Sequence, residues 1–289
     1  MAFNLSTFRT RALTAVVFVV VMLVGLLWNH WSFLLLFSII HFGCWIEYQK
    51  LVALIDPAYS ETSGLHKILV VLAGYGLMLW FTNEAYVVLG VRLHELGWWM
   101  LMICAIVLPV SEVLLSQNFS LRSLMYSLAG LVYISLSWGL MIALRNGGAF
   151  LDLGWIVPCV LIAAIWINDT MAYIVGSFIG KTPLSPISPK KTWEGTIGGA
   201  LLCIAVVTLV GYYGFGLHAY ADLIAISAIA AVVGTIGDLL QSKLKRLAGV
   251  KDSGNIMPGH GGFLDRFDSL LLATPFVWVY IRFITDYLS

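Results

Sequence analysis

The sequence predicts an all-α, polytopic membrane protein: a helical bundle of about nine transmembrane helices, N-terminus in the cytoplasm and C-terminus outside. Three observations predict it. Hydrophobic residues make up 60% of the 289 and charged residues 11%, with a mean hydropathy of +0.93; a soluble domain is about half apolar and roughly a quarter charged. The apolar residues fall in runs of a length that crosses a ~30 Å hydrocarbon core as helix, and they are continuous rather than alternating, which excludes a β-barrel. The basic residues are also shared unequally between alternate loops.

Taken in order, the spans are 12–28, 31–51, 67–82, 97–115, 122–144, 153–178, 196–214, 222–241 and 268–286, the third being short. The first has a basic flank (Arg9, Arg11) like a signal peptide's. Asn29, His30 and Trp31 follow it instead of a small-residue cleavage site, so it reads as a retained anchor. With the N-terminus inside, thirteen Lys and Arg residues fall on the cytoplasmic side and only Arg92, Arg145 and Arg282 outside, as the positive-inside rule requires. Trp28, Trp31, Trp98 and Trp99 then sit near the outer boundary as an aromatic belt. Pro109 is expected to kink the fourth span.

A net charge of +1 carries no nucleic-acid signal. Cys44, Cys104, Cys159 and Cys203 lie in apolar stretches without metal-ligand spacing and read as small core hydrophobes. Residues 1–150 read as a transmembrane scaffold half. Glu47 and Glu112, near the cytoplasmic ends of spans two and four, are expected to snorkel to the interface.

Residues 151–289 read as the catalytic half, with cytoplasmic loops at 180–195 and 242–267. Nine of the 31 residues in 238–268 are charged, interleaved with five loop glycines and with Pro258 and His260. Residues 238–246 should continue span eight as a helix emerging from the membrane. Asp238 lies there at membrane depth beside Gly234 and Gly237, which permit close backbone approach; a carboxylate at that depth is costly unless paired or bound to a cation. The turn-rich GNIMPGHGG stretch could cradle phosphate oxygens on its backbone N–H groups. Asp265 and Asp268 share one face at the start of the last helix, where carboxylates are stabilised and phosphates bind. Carboxylates interleaved with Lys, Arg and Gly suit a polyphosphate held with Mg²⁺. Upstream, Asn168 and Asp169 fall inside span six, a functional signal by default. Prolines 183, 186 and 189 stiffen the approach to Lys190, Lys191 and Thr192, and Gly195 and Gly199 form a GxxxG packing face.

Residues 242–268, SKLKRLAGVKDSGNIMPGHGGFLDRFD, closely resemble the signature of the phosphatidate cytidylyltransferase (CDP-diacylglycerol synthase) family. The match runs through Ser242, Lys245, Arg246, Lys251, Asp252, His260, Gly261, Gly262, Asp265, Arg266 and Asp268. The NDTMAY and SPKKTWEG segments also look like the family's, so the resemblance covers about residues 165–270. It implies transfer of the cytidylyl group of CTP to phosphatidic acid, giving CDP-diacylglycerol and pyrophosphate. The positive-inside topology and the cytosolic supply of CTP put the site on the cytoplasmic side. Between a bacterial inner membrane and an organelle membrane, the compact chain with its short N-terminal segment favours the bacterial one. The resemblance further implies Mg²⁺, with a second cation such as K⁺. Asp238 and Asp265 are the expected metal ligands, with Asp169 and Asp268 as further or supporting acids. Lys245, Arg246, Lys251 and Arg266 would hold phosphates and His260 would hydrogen-bond phosphate or pyrophosphate. Lys190, Lys191 and Thr192 would contact CTP, with Ser242, Asp252, Gly261 and Gly262 completing the substrate-binding set. The sequence leaves oligomeric state open, a homodimer included.

Three rival readings stand beside this one. A related CTP-dependent membrane transferase acting on another lipid shares the chemistry. The CDP-alcohol phosphotransferase pattern fails, because Asp265 and Asp268 lack the Gly and Ala-Arg that follow its acids. An ion-coupled transporter would show repeats and midplane acids; here no repeat appears and the acids cluster toward the cytoplasmic face.

Overall fold

A computed structural model describes residues 5–115, 120–147, 154–255 and 261–287. These are predominantly helical: α1 (Leu5–Leu27), α2 (His30–Ile55), α3 (Pro57–Ser60), α4 (Gly64–Trp80), α5 (Leu93–Leu115), α6 (Leu121–Gly130), α7 (Ser137–Asn146), α8 (Ile156–Ile179), α9 (Trp193–Leu209), α10 (Tyr220–Leu247) and α11 (Leu264–Tyr287). Six stretches among the described residues are long and apolar enough to cross a membrane: His30–Ile55, Leu93–Glu112, Leu121–Asn146, Ile156–Ile179, Trp193–Gly214 and Tyr220–Leu247. Leu13–Leu27 and Gly64–Trp80 are shorter apolar helices. Six of the nine expected segments coincide with the six long stretches. Outward-facing apolar side chains such as Val16 and Val17 on α1, Leu114 on α5 and Phe178 on α8 stand exposed in numbers that water would penalise and lipid would not.

Two features depart from a set of plain helices. π-helical turns interrupt the regular pitch at Leu131–Leu136, between α6 and α7, and at Val210–Gly214, after α9. Two antiparallel hairpins also form: β1 (Val87–Val88) with β2 (Val91–Arg92), and β3 (Pro183–Ser185) with β4 (Ser188–Thr192). The first turns through Leu89 and Gly90, both at positive φ, as a two-residue hairpin requires. The second occupies the loop expected only to be stiffened by proline. Its prolines sit in a two-stranded ribbon, where an edge tolerates a missing N–H.

The chain divides into two compact units: residues 1–142 with 247–266, and residues 143–246 with 267–289. This grouping differs from the 1–150 and 151–289 halves read from the sequence, since it assigns most of the signature loop to the N-terminal unit. In the first unit, Asn29 starts α2 with a reciprocal capping box to Ser32. Phe33, Phe37, Trp45 and Trp138 are fully buried. At the crossing of α4 and α5, a Cβ on Gly97 would lie 2.6 Å from the Gly76 carbonyl oxygen, so only glycine permits the approach.

In the second unit, Gly195 and Gly199 pack α9 onto α8, as the GxxxG spacing predicted: a Cβ on Gly199 would stand 2.6 Å from the Ala172 Cα. Gly237 brings α10 against α11, where its Cβ would lie 2.6 Å from the Asp268 carbonyl oxygen. Small residues thus set the helix separations that position the charged groups.

Candidate active site

In the second unit a cavity of about 440 Å³ opens beside α8, the β3–β4 hairpin, α9 and α10. Its wall carries Asn168 and Asp169 from α8, Lys190, Lys191 and Thr192 from β4, and Asp238 from α10. The local sequence explains each placement. Asn168 and Asp169 sit mid-helix on α8. The hairpin carries both lysines to the foot of α9, where Thr192 caps the helix by accepting from the Gly195 N–H at 3.2 Å. Glu194 ties the other end of the loop, accepting from the N–H groups of Lys181 and Thr182 and, at 2.8 Å, from the Thr182 hydroxyl.

Charge is balanced inside this cavity. Lys191 Nζ is ion-paired with Asp238 Oδ2, and the Ser242 hydroxyl donates to Asp238 Oδ1 at 3.2 Å. Asp169, Asp238 and Asp268 lie close enough to act electrostatically on one another, with Lys191 opposing Asp169 and Lys245 opposing Asp268. Asp268 is buried, 8% exposed, and accepts from the Ser269 N–H at 2.7 Å. Asn168 is 4% exposed, and its Oδ1 has no hydrogen-bond partner among the described residues. A buried amide oxygen without a donor, beside two carboxylates, is a hard oxygen donor set of the kind Mg²⁺ takes. These oxygen donors are of the type Mg²⁺ takes, while among the described residues no group of three or more Asp, Glu, His or Cys side chains is gathered as a metal site.

The other expected residues are placed as follows. Lys245 and Arg246 end α10 in its last turn, where positive charge suits the helix terminus. Lys251, Asp252 and Arg266 are exposed. His260 lies outside the described residues. Asp265 belongs to the first unit, where its Oδ2 accepts from the Ser253 N–H at 2.8 Å, the Ser253 hydroxyl at 3.0 Å and the Gly262 N–H at 3.0 Å. Two N–H donors engage Oδ2, and the single Ser253 hydroxyl proton is shared between it and Glu47 Oε2. Gly261, at φ +82°, makes the tight turn before it, and a Cβ there would meet Asp265 Oδ2 at 2.6 Å.

Three expectations are corrected. Glu47 does not snorkel: it is 5% exposed, and its carboxylate accepts from the Phe263 N–H and the Leu264 N–H, both at 2.9 Å, and from the Ser253 hydroxyl at 2.7 Å. Glu112 is held likewise, with its Oε1 2.5 Å from His66 Nδ1, while His66 Nε2 lies 2.9 Å from the Ser127 hydroxyl. In both cases a polar partner inside the protein competes successfully with interfacial water. The start of α11 is also not an open phosphate site, because the N–H groups of residues 262–264 already donate to Asp265 and Glu47. Glu47 is the residue that sequence reading missed. The available signal was a lone acid in an apolar helix with Gly43 one turn before it; Phe263 packs against that glycine.

The profile of the Cytidylyltransferase family matches residues 9–284. A phosphatidate cytidylyltransferase of Staphylococcus haemolyticus (strain JCSC1435) is 41% identical over 170 residues, 57% of this chain and 62% of that protein. One of Bacillus subtilis (strain 168) is 38% identical over 167 residues, 57% of this chain and 61% of that protein. A chloroplastic Arabidopsis thaliana protein, phosphatidate cytidylyltransferase 4, is 39% identical over 139 residues, 48% of this chain and 36% of its own length. The chain spans about three fifths of the length of the bacterial relatives it matches.

Proposed function

Because this chain belongs to the cytidylyltransferase family, we propose that it transfers the cytidylyl group of CTP to phosphatidic acid, giving CDP-diacylglycerol and pyrophosphate. One observation carries the reading: a single cavity in which Lys190 and Lys191 face Asp169 and Asp238. Lysines alone would serve any anion. Lysines beside membrane-depth carboxylates suit a polyphosphate that arrives with a divalent cation.

The lipid phosphate is an adequate nucleophile, so little proton transfer is required of the protein. A phosphate oxygen of the lipid bonds to the α-phosphorus of CTP, the bond from that phosphorus to the bridging oxygen breaks, and pyrophosphate leaves with the electron pair. The barrier lies in bringing two polyanions together in line, so the protein contributes charge neutralisation and positioning. Lys190 and Lys191 take the triphosphate, with Thr192 fixing the hairpin to α9. Asp169 and Asp238, with the Asn168 side-chain oxygen, would hold Mg²⁺, and Asp268 is the further acid for a second cation such as K⁺. When bound, the metal supplies charge stabilisation to the transferring phosphoryl oxygens. Lys245, Arg246, Lys251 and Arg266 belong to the same proposal as phosphate-holding groups. Asp265 stays in the proposal as a metal ligand, with its Oδ2 also ordering its own loop.

The same proposal includes nine membrane crossings with the N-terminus inside, a bacterial inner membrane and a cytoplasm-facing site. It rests on the thirteen-to-three distribution of basic residues, which places both charged loops on the side where CTP is supplied. A homodimer is compatible with it.

The test uses purified protein in detergent with phosphatidic acid, CTP labelled at the α-phosphate, and Mg²⁺. A labelled lipid is expected, lost with EDTA and reduced at least about a hundredfold in Asp238→Asn. Label appearing only on a different lipid would move the substrate, and no labelled lipid across a lipid panel would overturn the reading.

A further inference from the structure

We propose that Glu47, a residue of the N-terminal scaffold, is a positioning residue for the signature loop, clamping its two ends and the start of α11 into the arrangement that turnover requires. The proposal rests on the reading of the reaction given above.

The geometry is specific. Glu47 Oε1 accepts from the Phe263 N–H, and Oε2 accepts from the Leu264 N–H and the Ser253 hydroxyl. The carboxylate therefore serves as the N-terminal cap of α11, supplied from α2 by a residue 216 positions earlier than Phe263. Ser253 completes the link, because its hydroxyl lies within hydrogen-bonding distance of both Glu47 Oε2 and Asp265 Oδ2. One carboxylate thus holds residue 253 on the way into the loop and residues 263 and 264 on the way out.

The loop is shaped around that carboxylate. A Cβ at Gly254 or Gly262 would run into the Glu47 side chain, and one at Gly43, a turn before Glu47 on the same face of α2, would run into the Phe263 ring. Glycine is needed at both loop positions for the acid to seat. A carboxylate that is 5% exposed and accepts three hydrogen bonds at 2.7–2.9 Å is better placed than interfacial snorkelling would leave it. Lys251 and Arg266 flank the clamped segment and are exposed, so the clamp sets where their charges are presented.

The experiment compares wild type, Glu47→Gln and Ser253→Ala in detergent by three readouts: kcat and KM for CTP, the rate of tryptic cleavage after Lys251, and the thermal midpoint. The glutamine keeps the shape but offers one acceptor oxygen where three donors converge. A fall in kcat of about a hundredfold is expected, the scale of a misplaced catalytic geometry, with KM for CTP within about threefold of wild type. Cleavage after Lys251 should quicken several-fold with little change in thermal midpoint. Ser253→Ala should move both readouts the same way by less, and the double variant should be less than additive because one linkage is being cut twice. If Glu47→Gln fails to fold, Ser253→Ala decides by the same criteria. Turnover lost with cleavage unchanged, or cleavage quickened with turnover intact, overturns the proposal. A wild-type protein that makes no lipid product overturns the reading of the reaction instead; the cleavage rates then decide whether Glu47 clamps the loop, and unchanged cleavage overturns the clamp.

Discussion

Lys191 and Asp238 pair in the wall of the cavity, so each neutralises the other's charge there. Replacing the lysine by methionine keeps the stem and removes the charge. Lys191→Met should raise KM for CTP about ten- to a hundredfold, as expected for the ~1.5–3 kcal/mol of a hydrogen bond to a charged group. Steady-state kinetics over a CTP series checks this; an unchanged KM would remove Lys191 from the binding set. Residues of this kind were legible in the sequence because a charge at membrane depth stands out against apolar neighbours. Glu47 stood out equally and was still misread. Its partners are mostly backbone N–H groups, which carry no side-chain signature, and they lie 206 to 217 positions away. The spacing of Asp265 from Asp268 was visible in the sequence, but its local donors were not.

Helices were readable as elements because long apolar runs fix both length and type, and the extension of α10 to Leu247 followed from the continuing pattern. The hairpin carrying Lys190 and Lys191 was not, since its three prolines argue for a turn and two-stranded pairing leaves almost no periodic signal. The π-helical turns at Leu131–Leu136 and Val210–Gly214 were equally hidden, for one extra residue in a turn does not disturb an unbroken apolar run. The seam between α8 and α9 gives a sharp element-scale prediction. Gly199→Ala puts a methyl 2.6 Å from the Ala172 backbone; it should destabilise the protein by about 1–3 kcal/mol, the usual cost of overpacking. Gly64→Ala, at the start of α4 with open space around it, should stay within about 0.5 kcal/mol. Thermal denaturation in detergent compares the two, and equal midpoints would mean that the seam yields freely.

Across the whole molecule, composition alone established a helical membrane protein, while the grouping into units depended on contacts that composition does not encode. The signature loop is contiguous in sequence with the charged end of α10, yet residues 247–266 cluster with the N-terminal unit. Orientation is the whole-molecule property open to direct test. Leu89, fully exposed at the tip of the first hairpin, and Pro186, exposed in the second, fall on opposite sides in the nine-span arrangement. Native cysteines are buried or half-buried, which keeps background labelling low. Leu89→Cys should react with a membrane-impermeant maleimide in intact spheroplasts, and Pro186→Cys only in inverted vesicles. The reverse pattern would invert the topology.

The 216 positions between Glu47 and Phe263 also impose an order on the protein's manufacture. Glu47 is made with α2, and Phe263 and Leu264 are synthesised only as α11 begins. At ~5–20 residues per second the interval is roughly 10 to 40 s. Throughout it the N-terminal unit carries an acid whose seat does not yet exist, and the intervening chain of the second unit must be laid down first. The unit that holds α2 is therefore finished only after most of the second unit has been made, and a chain halted before residue 263 leaves the clamp unfilled.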